Sequence, residues 1–444
     1  MAIPAFPAIP AFPDLSDAAS RPSSRRRGLI DGQRRRLLLG VPALAGALAM
    51  PGAAGAQARS TTLWSATWGC APAGPPPAAS TLSFSAQTLR LIVRATVGGS
   101  RVRIRLSNER GNTDLHVGAA AIGLRLGGAV VAGNSVPLTF GGSRGIVIPA
   151  GAPAVSDPVA LPVAPMSDLA VSIYFPGTVQ ATTIHNAAYQ ANYISSGGDH
   201  TNVANMPVQR AIASWPYLTE VDVDAGAPVL VVAGDSVTDG VGSSSGLNRR
   251  WPDFLARRLQ AELPAQRVAV VNRGISANRM LADTDTALIA GNDLLERFDR
   301  DVLSTAGVRG LSLLIGINDI VYSPSSRPLS PESMFAGYRQ LIERAHVHGI
   351  PVMGATLPPF YGFVYYTPAR EAVRQAVNAW MRSAAPFDLL ADIDVALRSA
   401  DTPHILRAQF DSGDHLHPND NGYQALAAAV PLPALAALLA RGSG

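Results

Sequence analysis

Ala227-Pro228-Val229-Leu230-Val231-Val232-Ala233 runs without a charge into Gly234-Asp235-Ser236-Val237-Thr238-Asp239-Gly240. A continuous apolar run of this kind reads as a strand buried on both faces, the mark of a parallel sheet covered by helices. The small residues that follow let the backbone turn tightly, so Ser236 is presented at the carboxyl end of the strand. Reactive groups of open parallel sheets gather on loops at that edge. The string is not the Gly-x-Ser-x-Gly elbow, and a strand-end Gly-Asp-Ser alone is an ordinary turn.

Strand and helix patterns alternate downstream. Pro252 opens a helix that runs to about Glu262, and Pro264 stops it. Val268–Val271 is the next buried strand. Residues 293–304 read as a helix and Leu311–Ile315 as a third strand. A helix over 331–348 ends at Gly349, and 350–355 is a fourth strand. A helix over 369–383, a short strand over 387–391 and a broken helix over 420–439, interrupted by Pro431 and Pro433, complete the series. The alternation predicts a three-layer α/β/α domain over 226–444.

Upstream the period changes. Arg101-Val102-Arg103-Ile104-Arg105-Leu106 alternates polar and apolar residues, as a half-buried strand does. Leu89–Arg94 reads as a strand, as does Ala170–Phe175, stopped at Pro176-Gly177. Many short strands between Gly and Pro turns, and no amphipathic helix, predict a β-sandwich over 59–225.

Composition narrows the function. Of 444 residues, 47% are hydrophobic and 15% charged, enough for a large core. Seven arginines and three aspartates within residues 1–58 account for the whole net charge of +4; the other 29 arginines meet 29 acidic residues. The basic excess therefore belongs to the leader and gives no reason to expect nucleic acid. No lysine is present, which excludes a lysine base or Schiff base. A single cysteine, Cys70, excludes an intrachain disulfide and a cysteine-built zinc site and reads as a small filler.

Gln33-Arg34-Arg35-Arg36-Leu37-Leu38-Leu39 enters an apolar stretch ending near Met50, too short to span a membrane. Small-x-small sites follow at 54–56 and 56–58. This is a signal-peptide pattern over 1–58, and its paired arginines resemble a twin-arginine signal. The expectation is an exported protein, periplasmic or extracellular, without a stable membrane span.

Three more blocks follow strand ends or lie near the C-terminus. They are Asn272-Arg273-Gly274-Ile275-Ser276-Ala277-Asn278-Arg279, Gly316-Ile317-Asn318-Asp319 and Asp414-His415-Leu416-His417-Pro418-Asn419. Each alone is a common turn. Together with Gly-Asp-Ser, in this order, they resemble the SGNH/GDSL hydrolase superfamily over about residues 226–440. Arg250-Trp251-Pro252-Asp253 and Phe298-Asp299-Arg300-Asp301-Val302-Leu303 are similar to its arylesterase and acylhydrolase branch. The upstream β segment resembles the extra domain of some secreted members.

The resemblance implies a serine esterase. Ser236 would be the nucleophile, His417 its base and Asp414 the group that orients the imidazole. Asp-x-x-His spacing selects His417 over His415. The oxyanion hole would be built from the Ser236 N–H, a backbone N–H of the second block and the Asn318 amide. The position usually held by glycine in that block aligns with Ala277; Gly274 is the fallback donor. Asp235, Asp239 and Asp319 read as holders of loop amides, and Asn278 and Arg279 as candidates to touch substrate. The aromatic stretch 358–366 is a candidate groove lining or a packing surface between domains.

No metal or cofactor is implied. The expected substrate is a small-molecule or polysaccharide ester with a short acyl group. The alternatives are a lipase, lysophospholipase or thioesterase on the same site, or a non-catalytic glycan-binding protein.

Overall fold

The computed structural model describes residues 62–76, 81–285, 288–324 and 326–441. The arginine cluster and apolar stretch read as an export signal lie outside the described residues. Five parallel strands build the C-terminal sheet: β1 (Val229–Gly234), β2 (Ala269–Gly274), β3 (Val308–Leu314), β4 (Val352–Ala355) and β5 (Leu389–Ala391). Their order is β2-β1-β3-β4-β5, so the chain reverses direction across the sheet between β2 and β3, which flank β1.

All six residues of β1 are buried. Val229, Val231 and Ala233 enter a core that also holds Tyr338, Leu341 and Trp380 from the helices Pro331–Val347 and Pro368–Ser383. Leu230 and Val232 face the opposite way, onto the helices Trp251–Glu262, Asp420–Ala428 and Leu432–Arg441. The two-residue period of the strand thus feeds two helical layers from one apolar run. Each fully buried Val or Leu contributes roughly 1.5–3 kcal/mol.

The N-terminal region is sheet-rich. One antiparallel sheet runs through Ser65–Gly69, Leu218–Val223, Gly99–Ser107 and Val159–Val163; a larger one is built on Ser83–Arg94 and Asp168–Gln180. These last two strands, of 12 and 13 residues, are longer than the turn residues suggest. Nor does Pro176-Gly177 stop its strand. The register shifts between Phe175 and Thr178 and pairing resumes to Gln180, so a bulge absorbs the proline.

Both regions share a single compact unit, Thr62–Gly444, and a continuous core. Arg273 at the end of β2 reaches into the N-terminal region. Its buried guanidinium donates to the carbonyls of Cys70 (2.5 Å) and Thr219 (2.9 Å) and pairs with buried Glu220. The Cys70 thiol lies against the Leu218 carbonyl, and burial pushes its pKa up.

The helix expected over 293–304 is two pieces, an α-helix over Leu294–Phe298 and a π-helical turn over Asp299–Leu303. A short helix over Ile393–Leu397 carries no signal long enough to read. Among the described residues no single helix is long and apolar enough to cross a membrane.

Candidate active site

The site lies where β1, β2 and β3 end side by side. Gly234 pairs with Gly274 on one flank and Leu314 on the other. The three loops therefore leave the sheet together, about 4.8 Å apart from strand to strand. Gly274 has to be glycine: a Cβ there would lie 2.3 Å from the Asp239 nitrogen.

Ser236 begins a one-turn helix, Ser236–Asp239, capped by Asp235, whose carboxylate accepts the Val237 N–H. The Ser236 hydroxyl donates to His417 Nε2 at 2.8 Å. On the far side of the ring, Nδ1–H donates to Asp414. Asp414 also accepts the backbone N–H groups of Leu416 (3.0 Å) and His417 (2.8 Å), which winds the loop into the shape that aims the imidazole. Burial raises the Asp414 pKa, but the hydrogen bond and charge of His417 prevail and hold it down at about 2. Asp414 is thus a carboxylate at any ordinary assay pH. His415 points away and pairs with Asp411 at 2.6 Å, half exposed.

The second block turns sharply after β2. Ala277 has φ +61°, the left-handed region where glycine is usual. Among the described residues neither its N–H nor that of Ser236 meets an acceptor. The Gly274 N–H does, donating to Asn272 Oδ1 at 2.9 Å, so of these two candidates Ala277 has the open N–H. Asn318, on the short helix Ile317–Val321, donates one amide hydrogen to the Asn278 carbonyl at 3.0 Å. Its Nδ2 carries a second.

Asp239 and Asp319 hold the loops. Asp239 accepts from the Ser276 N–H (2.8 Å) and hydroxyl (2.6 Å); Asp319 accepts the N–H groups of Met280 (2.8 Å) and Leu281 (2.9 Å). Asn278 does not face substrate. It is buried, donates to the carbonyls of Ala290 and Asn292 and accepts from Arg297. Arg279 leans toward Asp319 at 4.0 Å. The aromatic stretch packs within the α/β region: Phe360, Phe363, Tyr365 and Tyr366 gather on Ile317, Val321 and Leu416. Phe363 stands edge-on to His417, ring centroids 6.5 Å apart.

Sequence reasoning missed Arg297. This buried guanidinium bonds the Gly234 carbonyl (3.0 Å), the Arg273 carbonyl (2.9 Å), Asn278 Oδ1 and Asp301, tying two strand ends to the loop that carries Ala277. It lies just before the quoted Phe298–Leu303 string, with no motif of its own to mark it.

Two substitutions probe this scaffold. Ala277→Gly keeps the N–H and removes the left-handed strain, which costs an L-residue roughly 1–2 kcal/mol. The melting temperature should rise by about 2 °C, with kcat within about twofold of the parent; differential scanning calorimetry and steady-state kinetics read both. Asp235 gives a pH signature. Burial first, and the nearby Asp319 charge with it, raise its pKa to about 7. A folded-state pKa above the unfolded value of about 3.9 gives stability that is full below that value and lost as pH rises through 7. Asp235→Asn retains the capping oxygen without the charge. Its melting temperature should exceed the parent's at pH 8 and match it near pH 4; equal temperatures at pH 8 would overturn this.

A serine hydroxyl bonded to an imidazole, itself bonded to a carboxylate, can give up its proton as it attacks a carbonyl. Groups in this order are the ones a serine hydrolase would use, here set on a parallel α/β sheet. Residues 232–425 match a family model described as GDSL-like Lipase/Acylhydrolase family. The motif resemblance to SGNH/GDSL hydrolases falls on the same stretch. No curated protein matches the chain.

Among solved structures, an alpha/beta hydrolase enzyme from the metagenome of Lake Arreo, Spain, is 23% identical; the match covers 49% of this chain and 98% of that one, with TM-score 0.35. An acetyl xylan esterase from Geobacillus stearothermophilus is 22% identical, covering 46% and 94%, with TM-score 0.35. A GDSL-like lipase from Bacteroides thetaiotaomicron is 17% identical, covering 47% and 88%, with TM-score 0.34.

Proposed function

We propose that this protein is an exported serine esterase that cleaves carboxylic esters of short acyl groups through an acyl-enzyme at Ser236. The observation that carries the reading is the chain of contacts from Ser236 through His417, 2.8 Å away, to Asp414. Ser236 Oγ bonds to the acyl carbon as its proton passes to His417 Nε2. The carbonyl oxygen becomes an oxyanion held by the N–H groups of Ser236 and Ala277 and by the Asn318 amide. Collapse expels the alcohol, which takes the proton back from His417. Water, deprotonated by the same imidazole, then releases the acid.

Short acyl groups, acetyl on polysaccharide among them, suit the surroundings. Ser236 and His417 are only 4% and 3% exposed, and Phe363 stands beside the base. The arginine-led leader supports export by the twin-arginine route. We read the two antiparallel N-terminal sheets as a β-sandwich over 59–225, packed on a hydrolase domain over 226–444.

The test is turnover of p-nitrophenyl esters from acetate to palmitate, with fluorophosphonate labelling. Acetate preference and a label on Ser236 are expected. Palmitate preference would move the reading to a lipase. An inert, unlabelled protein would favour a non-catalytic glycan binder.

A further inference from the structure

His185 lies in the N-terminal β region, on the short strand Ile184–His185 that pairs with Trp215–Pro216. Its ring is buried against Trp215, 5.6 Å between centroids. Nδ1 lies 2.9 Å from the Ala71 carbonyl. Nε2 lies 3.0 Å from Asp239 Oδ1 and 3.2 Å from the Ala187 carbonyl. Each of these partners can accept, a setting that favours hydrogen on both ring nitrogens. Burial lowers its pKa, but the Asp239 charge and hydrogen bond outweigh that and the net shift is upward.

Asp239 closes the helical turn that Ser236 opens. One of its oxygens takes His185; the other holds the backbone and hydroxyl of Ser276. The next residue is Ala277, in its left-handed turn, and Thr284 donates to the Ala277 carbonyl at 2.6 Å from the other side. Two further contacts join the β region to this loop. Tyr189 hydrogen-bonds the Ser276 side chain, and Ala71 and Ala73 pack on Ile275. A backbone conformation that alanine disfavours persists only where neighbours over-determine it, and Tyr189, Ala71 and Ala73 add neighbours from outside the α/β region to those within it.

We propose that His185 is a positioning residue for ester hydrolysis: through Asp239 it fixes Ser276, and with it the Ala277 N–H that binds the oxyanion. The inference rests on the esterase reading above. It gives the N-terminal β region a part in the chemistry, because the oxyanion loop is completed by a side chain from that region. Asp239 alone could accept from Ser276. What His185 adds is a buried donor, 3.0 Å from Oδ1, that holds the Asp239 carboxyl in one orientation.

The test is p-nitrophenyl acetate kinetics on the full chain for His185→Ala, His185→Gln, Asp239→Asn and His185→Ala/Asp239→Asn, with melting temperatures for each. Misplacing a donor by about an ångström costs up to roughly 100-fold. His185→Ala is expected to lower kcat by about 10–100-fold with KM within about twofold. His185→Gln, which keeps a donor toward Asp239, should recover much of that. The double variant should lose no more than Asp239→Asn alone, since both act on one link.

Folded His185→Ala and His185→Gln proteins with parental kcat would overturn the proposal. So would losses that add to those of Asp239→Asn, or a change confined to KM. If His185→Ala fails to fold, His185→Phe, which fills the ring's space without a donor toward Asp239, carries the same kcat test. A parent protein that is inert and leaves Ser236 unlabelled would instead overturn the esterase reading, and this inference with it.

Discussion

Ser236→Ala is expected to lower ester turnover by on the order of 10⁴–10⁶, with residual catalysis from the oxyanion donors alone. That is about 5–8 kcal/mol of transition-state stabilisation. His417→Ala should lose a similar factor, and the double variant little more. The reason is structural. The hydroxyl and the imidazole are joined by one 2.8 Å hydrogen bond, and neither acts without the other. Asp414→Asn should lose less, because the loop amides of Leu416 and His417 still find a side-chain oxygen. Folding should be unaffected by Ser236→Ala, whose hydroxyl bonds only His417 among the described residues. Steady-state kinetics, with far-ultraviolet circular dichroism as the folding control, measures all four. A Ser236→Ala protein retaining a tenth of parental activity would remove Ser236 from the chemistry.

The groups of this relay were legible because each sits in a short string whose position relative to a strand end can be read from hydrophobicity. Gly234 ends an apolar run, Gly316 follows another, and a parallel sheet brings such ends together whatever the helices between them do. The Asp-x-x-His spacing likewise fixed which histidine to take, and the structure puts His415 on Asp411 instead. What the sequence does not carry is contact between distant segments. His185 lies in a two-residue strand with no periodicity, 54 residues before the Asp239 it meets.

Arg297 looks like a surface charge on a short helix until four partners from three segments close on it. Asn278, adjacent to Ala277, seemed aimed at substrate by proximity alone; the left-handed turn at Ala277 sends it inward. Pro176-Gly177 misled in the other direction, because a bulge lets a strand continue past residues that would end it in isolation.

Asn318→Ala is expected to lower kcat by about 10²–10³, roughly 3–4 kcal/mol, with KM nearly unchanged. The side chain is buried, 4% exposed, on a helix that starts directly after Gly316, and its amide is already oriented by the Asn278 carbonyl. A donor fixed before the reaction needs no reorganisation when charge appears on the substrate oxygen, so its effect falls on the transition state. The same tether complicates alanine, which also frees the Asn278 carbonyl. Asn318→Asp loses the same tether but keeps the shape and places an acceptor where the oxyanion needs a donor. If Asn318 stabilises the oxyanion, Asn318→Asp should be at least as inactive as Asn318→Ala. If Asn318 only braces the loop, both variants should instead show parental kcat when the loop is intact, with the loss appearing in melting temperature. Measured kcat, KM and melting temperature for the two variants, side by side, decide between a donor and a brace.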